Sequence, residues 1–120
     1  MIYFERGGRE LELGPDALRD GLFEALEKIG SRERVVAVPP DITRLPSQAG
    51  PLTRFTHEFY KDRLKAIIPA IGTHHPMSEE QISLMYGDLP RNLFRVHDWQ
   101  DGLATLGRLP ASRIEELSEG

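Results

Sequence analysis

The chain has 120 residues, 39% apolar and 28% charged, with a formal net charge of -4; that is one domain's worth of core, with no general attraction to nucleic acid or an anionic membrane. It has no cysteine, which excludes a disulfide framework, a thiolate metal site and a cysteine nucleophile. No apolar run approaches the roughly 20 residues that span a bilayer, and the opening Met1-Ile2-Tyr3-Phe4-Glu5-Arg6 lacks the basic-then-apolar order of a secretory signal, so a soluble cytoplasmic protein without a membrane partner is expected.

In chain order, Ile2 to Phe4 and Leu11 to Leu13 read as two short strands, a hairpin around Gly7-Gly8. A helix follows between Pro15, suited to the first helical position, and Gly30, suited to the stop. Leu18, Leu22, Leu26 and Ile29 recur in it at helical spacing and predict one buried stripe. The β-branched run Val35 to Val38 has no polar alternation, the pattern of a strand covered on both faces. A loop rich in proline and small polar residues spans Pro39 to Gly50. A second helix is expected from Pro51 to Lys65, turning Leu52, Phe55, Phe59 and Leu64 inward. Ala66 to Ile71 reads as a second buried strand, although Pro69 argues against a fully paired one.

Ser78-Glu79-Glu80-Gln81 has the form of a capping box and predicts a helix from Ser78 to about Tyr86. Leu93 to Val96 and Leu103 to Leu106 read as further short strands, and Pro110 to Leu117 as a last helix. Alternating strands and helices imply a single α/β domain over residues 1–120, with a mostly parallel sheet flanked by helices.

Two polar motifs sit where apolar runs end. Val35 to Pro40 leads into Asp41-Ile42-Thr43-Arg44, and Ala66 to Ile71 leads into Gly72-Thr73-His74-His75-Pro76. Ligands of open α/β sheets bind beyond the carboxyl ends of the strands. Asp41 and Thr43 are suited to holding a sugar hydroxyl or orienting another side chain, and equally to capping a turn. Arg44 offers a fork of donors matched to a carboxylate or phosphate. Gly72 permits a close backbone approach, and Thr73 can anchor a ring nitrogen. His74 and His75 exchange protons near neutral pH, but neighbours in an extended segment point oppositely, so one of them faces a given pocket. His57, beside Glu58, reads as a surface residue; His97-Asp98 reads as a turn cap that could approach the same sheet edge. A mononuclear metal site from Asp41, His74 and His97 has no compact ligand spacing behind it. No phosphate-cradling glycine loop and no G-x-S-x-G elbow occurs. Residue type alone points to proton transfer by histidine beside an arginine-bound anion.

Together the motifs resemble a family. Asp41-Ile42-Thr43-Arg44, followed about thirty residues later by Gly72-Thr73-His74-His75-Pro76-Met77-Ser78-Glu79-Glu80-Gln81-Ile82, is similar to the N-terminal part of the nickel-dependent lactate racemases. Val96-His97-Asp98-Trp99 and Leu103 to Gly107 extend the likeness, which covers the chain from about Val35 to Gly107. The resemblance implies a Rossmann-like N-terminal domain of a two-domain enzyme. It also implies a nickel-pincer nucleotide as cofactor and a 2-hydroxy acid such as lactate as substrate, inverted by proton-coupled hydride transfer. By the same resemblance His74 matches an acid-base histidine and Arg44 an arginine near the substrate anion. Asp41, Thr43, Gly72, Thr73 and His75 match residues around the substrate or cofactor, and none of these matches a metal ligand.

Two positions depart from the family pattern: His75 stands where arginine is usual, and Leu45 separates Arg44 from Pro46. The family's anchoring lysine, nickel-binding histidine and second acid-base histidine belong to a segment resembling P-H-x-x-x-G-x-S-G-G-x-K, which has no counterpart in these residues. A C-terminal domain or a companion chain is therefore the expected partner, and the chain alone is not expected to racemise its substrate. Two other readings stand beside this one: a non-catalytic module that binds an anion or nucleotide, and a small hydrolase or lyase using His74 and Asp41.

Overall fold

The computed structural model describes residues 2–118. Its elements are α1 (Pro15–Ile29), β1 (Val35–Ala37), α2 (Ala49–Tyr60), β2 (Leu64–Ile67), α3 (Glu79–Tyr86) and α4 (Ala111–Ser118), with 3-10 turns at Ile42–Ser47, Lys61–Arg63 and Arg91–Leu93. The fold is α/β, with helices around a two-stranded parallel sheet. Val35 pairs with Leu64, Val36 with Ala66 and Ala37 with Ile67, and Lys65 is left over as a bulge between the first two pairs. Beyond the strands the ladder adds two single bridges, Pro40 with Ala70 and Ile67 with Phe94.

α1 starts at Pro15 and ends at Gly30, whose φ of 85° is a backbone state that a side chain would strain. Its leucine stripe is half-buried rather than buried, because α1 packs mainly on α2, and of the stripe Leu26 reaches the buried core. Phe23 meets Phe59 edge-to-face at 5.1 Å, and Arg19 pairs with Glu58 across the same seam. The core proper lies between α2, α3 and one sheet face, where Tyr60, Leu64, Ile67, Ile82, Met85, Tyr86 and Leu89 are buried together. Gly50 lets α2 and α3 meet: a Cβ there would fall 1.9 Å from the Met85 carbonyl oxygen. α3 opens with the expected capping box, Ser78 Oγ accepting from Gln81 N at 3.3 Å and Gln81 Oε1 from Ser78 N at 2.9 Å.

Several expectations are corrected. Residues 2–4 and 11–13 form no strands, and the segment instead lies along α1, with Phe4 over Gly21. The second helix stops at Tyr60, and Leu64 belongs to β2, because Lys61 takes a positive φ of 51° that ends the helix. β2 ends at Ile67, short of Pro69, which has no N–H for the ladder. β1 is not covered on both faces: Val36 is 51% and Val38 64% exposed. Phe94 makes one bridge in place of a strand, and residues 103–106 form none and are exposed. His57 is half-buried rather than a surface residue. No helix among the described residues is long and apolar enough to cross a membrane.

Candidate functional site

Both polar motifs emerge at the carboxyl ends of the paired strands. The last bridge joins Pro40 to Ala70, with Ala70 N donating to the Pro39 carbonyl at 2.7 Å. One residue later Asp41 leaves the ladder and caps the Ile42–Ser47 turn. Its Oδ1 accepts from Thr43 N at 3.1 Å and from the Thr43 hydroxyl. On the neighbouring strand Gly72 adopts a φ of 58°, and His74 N closes a tight turn onto the Ile71 carbonyl at 2.9 Å. That turn carries the imidazole back to the first motif, where Nδ1 of His74 lies 2.7 Å from Oδ2 of Asp41.

The electrostatics fix the roles. Asp41 is only 4% exposed. Hydrogen bonds from the Thr43 hydroxyl, then from His74, hold its carboxyl below the usual carboxylate range against the cost of burial. An ionised carboxylate can only accept, so Nδ1 of His74 carries a proton, and in the neutral ring the lone pair lies on Nε2. The His74 side chain is 58% exposed, so the basic nitrogen is reachable. Tyr86 lies behind the pair, fully buried, with its hydroxyl donated to the Pro40 carbonyl. Burial, and then the charge of Asp41, push its phenol up to about 12, so it stays a donor at neutral pH.

Two clefts flank the imidazole. One, of about 350 Å³, is lined by Asp41, Thr43, His75, Met77 and Gln81 as well as His74. The other, of about 520 Å³, is lined by Thr73, His75, His97 and Trp99 as well as His74. His75 borders both clefts, as His74 does, because the segment is a turn and not an extended strand, and the alternation expected of neighbours does not apply. Arg44 is exposed on the 3-10 turn and lines neither cleft; Gly72 shapes the turn without lining them. No arginine or lysine lines either cleft.

His97 reaches the second cleft, and its Nδ1 is buried without a partner among the described residues. Asp41, His74 and His97 do not form a metal site: among the described residues no group of three or more His, Cys, Asp or Glu is placed to hold one. Sequence reasoning missed Tyr86. The helical register counted from Ser78 would have put it on the core face with Ile82, at i and i+4. Nothing in the chain pattern marked the hydrogen bond to Pro40, which spans 46 positions.

No protein-family model matches the chain, and no curated protein matches it. The chain is similar to the crystal structure of a Thermotoga maritima protein solved by the Northeast Structural Genomics Consortium, with 28% sequence identity and a TM-score of 0.68. The match covers 89% of this chain and 27% of that one, so the chain spans about a quarter of the length of the protein it resembles.

Proposed function

We propose that this chain is the N-terminal, Rossmann-like module of a 2-hydroxy acid racemase or epimerase, with His74 as its proton-transfer group. The observation that supports this reading is the Asp41–His74 pair. A buried, ionised carboxylate holds one ring nitrogen at 2.7 Å while the other faces a cleft. Such an arrangement presents a neutral imidazole as a base and stabilises the imidazolium that forms. Nε2 takes the 2-hydroxyl proton of one enantiomer as the C2 hydride would leave to an acceptor held outside these residues, and gives it back when that enantiomer re-forms; the proton of the other enantiomer belongs to a second acid-base group outside these residues. Thr43 keeps the Asp41 carboxylate from rotating away during the exchange, since it engages the other oxygen.

In this proposal the nickel-pincer nucleotide is held by other residues. The described residues offer no metal-holding group, and no lysine lines either cleft, so they do not fit the cofactor's metal or its anchor. The chemistry derived from this chain therefore stops at the proton. Arg44 serves the substrate carboxylate only if its exposed turn moves toward the cleft on assembly with the remainder of the enzyme.

The test is racemisation of a 2-hydroxy acid by the cofactor-loaded complete enzyme. His74→Ala lowers turnover by about 10²–10⁴-fold, the usual size of a lost acid-base group, while nickel is retained. Undiminished turnover removes the proposed role. A second reading, a binding module without catalysis, is favoured by one observation: of the imidazoles lining the clefts, only His74 has a carboxylate partner among the described residues. That reading gains if the complete protein binds 2-hydroxy acids and leaves their configuration unchanged.

A further inference from the structure

Among the described residues Tyr86 is the largest side chain that is fully buried. It ends α3 and packs in the core cluster with Ile82, Met85 and Leu89. Phe94 tilts against its ring at 5.4 Å between centroids, and Phe94 is itself tied to β2 by the bridge to Ile67. A phenylalanine would meet all of that packing. A hydroxyl at such depth costs stability unless it is hydrogen-bonded, and this one donates to the Pro40 carbonyl.

That bond controls a torsion. The ladder fixes the Pro39 carbonyl, which accepts from Ala70 N at 2.7 Å. The peptide between Pro39 and Pro40 is planar, and the pyrrolidine ring locks φ of Pro40. One soft torsion is then left before Asp41, the ψ of Pro40. Turning it swings the Pro40 carbonyl, and with it the whole peptide plane from which Asp41 departs. The Tyr86 hydroxyl grips that carbonyl from the core side, while the bridge to Ala70 restrains the same residue from the sheet side.

Asp41 has little freedom to absorb a turn of that plane. It is almost closed to water, with Oδ1 committed to Thr43 and Oδ2 to His74. Hydrogen bonds weaken as they are misaligned, so a rotation at Pro40 is felt at Nδ1 of His74. The phenol remains a donor throughout the neutral range, since burial and then the charge of Asp41 push it up to about 12.

We propose that Tyr86 is a positioning residue for the Asp41–His74 pair: its hydroxyl, through the Pro40 carbonyl, sets the direction from which the Asp41 carboxylate reaches Nδ1. Only the consequence for turnover rests on the reading of His74 as the proton-transfer group. The test reads the ring itself, so the two proposals fail separately.

The experiment is nitrogen-15 spectroscopy of the complete protein labelled at histidine, at a pH where the His74 ring is neutral. Tyr86→Phe keeps the buried ring and removes the hydroxyl. It is expected to lower the ratio of the Nδ1-protonated to the Nε2-protonated ring by about 2–10-fold, the size of one lost hydrogen bond. Leu89→Ala opens a cavity in the same core and destabilises the fold more, yet leaves that ratio unchanged. In an Asp41→Asn background, adding Tyr86→Phe has no further effect, because the hydroxyl acts through the carboxylate. An unchanged ratio in Tyr86→Phe overturns the proposal. An equal shift in Leu89→Ala also overturns it, since loss of packing alone would then explain the result. A shift that persists without the Asp41 carboxylate overturns it as well. Undiminished turnover in His74→Ala would count against the acid-base reading and would leave the tautomer result standing.

Discussion

Asp41 is the residue on which the candidate site turns. It uses both carboxylate oxygens, one on Thr43 and one on His74, in a position almost closed to water. The consequence for His74 is tautomeric. Nitrogen-15 spectra are expected to show that the neutral form of the His74 ring carries its proton on Nδ1, the minor tautomer of free histidine. Asp41→Asn removes the acceptor charge and lets the ring adopt the other form; an unchanged tautomer in that variant would show that the carboxylate does not orient the ring. The residue types of this site were legible in the sequence, because an acid, a hydroxyl and an imidazole all stood at ends of apolar runs. Their pairing was not legible, since it depends on the left-handed turn at Gly72 that folds His74 back across the strand ends.

At the scale of elements, local signals carried far when they were chemical and less far when they were only apolar. The capping box at Ser78 and the proline–glycine bracket of α1 were read correctly, since each depends on hydrogen bonds or torsions within a few residues. The boundary between α2 and β2 was misplaced because Leu64 suits either element, and the break depends on Lys61 taking a positive φ. The α2–α3 contact offers a test. Gly50→Ala drives a methyl group into the Met85 carbonyl and is expected to cost about 3 kcal/mol or more, at the upper end for overpacking. Ser78→Ala removes one cap and costs about 1 kcal/mol. Denaturant titrations that reversed this order would show that α3 can slide away from α2.

For the whole molecule, the Cα radius of gyration of 17.5 Å exceeds the roughly 13–14 Å of a compact chain this long. The excess reflects the exposed C-terminal arm and the sheet that stays at two strands. The α/β class was legible because strand and helix patterns alternate. The extent of the sheet was not, since apolar runs such as Leu103 to Leu106 look the same whether they pair or lie exposed. Stability of this body should be limited at both pH extremes by groups behind the site. The Asp41 carboxyl is lowered in the fold, so its contribution is present above its unfolded value near 3.9 and is lost as pH falls through the lower folded value. Tyr86 is raised to about 12, so its contribution is intact below its unfolded value near 10 and is lost as pH rises towards 12. Tyr86→Phe should flatten the alkaline limb of a stability–pH curve and leave the acid limb; an unchanged alkaline limb would assign that loss to other groups.

The bridge from Pro40 to Ala70 marks the last point at which the two strands can pair, for a reason written into the side chains. Pro39, Pro40 and Pro69 have no N–H to offer, so the ladder is thin where Ala70 N meets the Pro39 carbonyl, and beyond it Asp41 turns into its cap and Gly72 into its left-handed turn. The strands are free to diverge there, and the clefts on either side of His74 occupy the space that results. The cap at Asp41 and the turn at Gly72 thus keep the mouth of the sheet open, past a stretch of ladder that the prolines have already left short of donors.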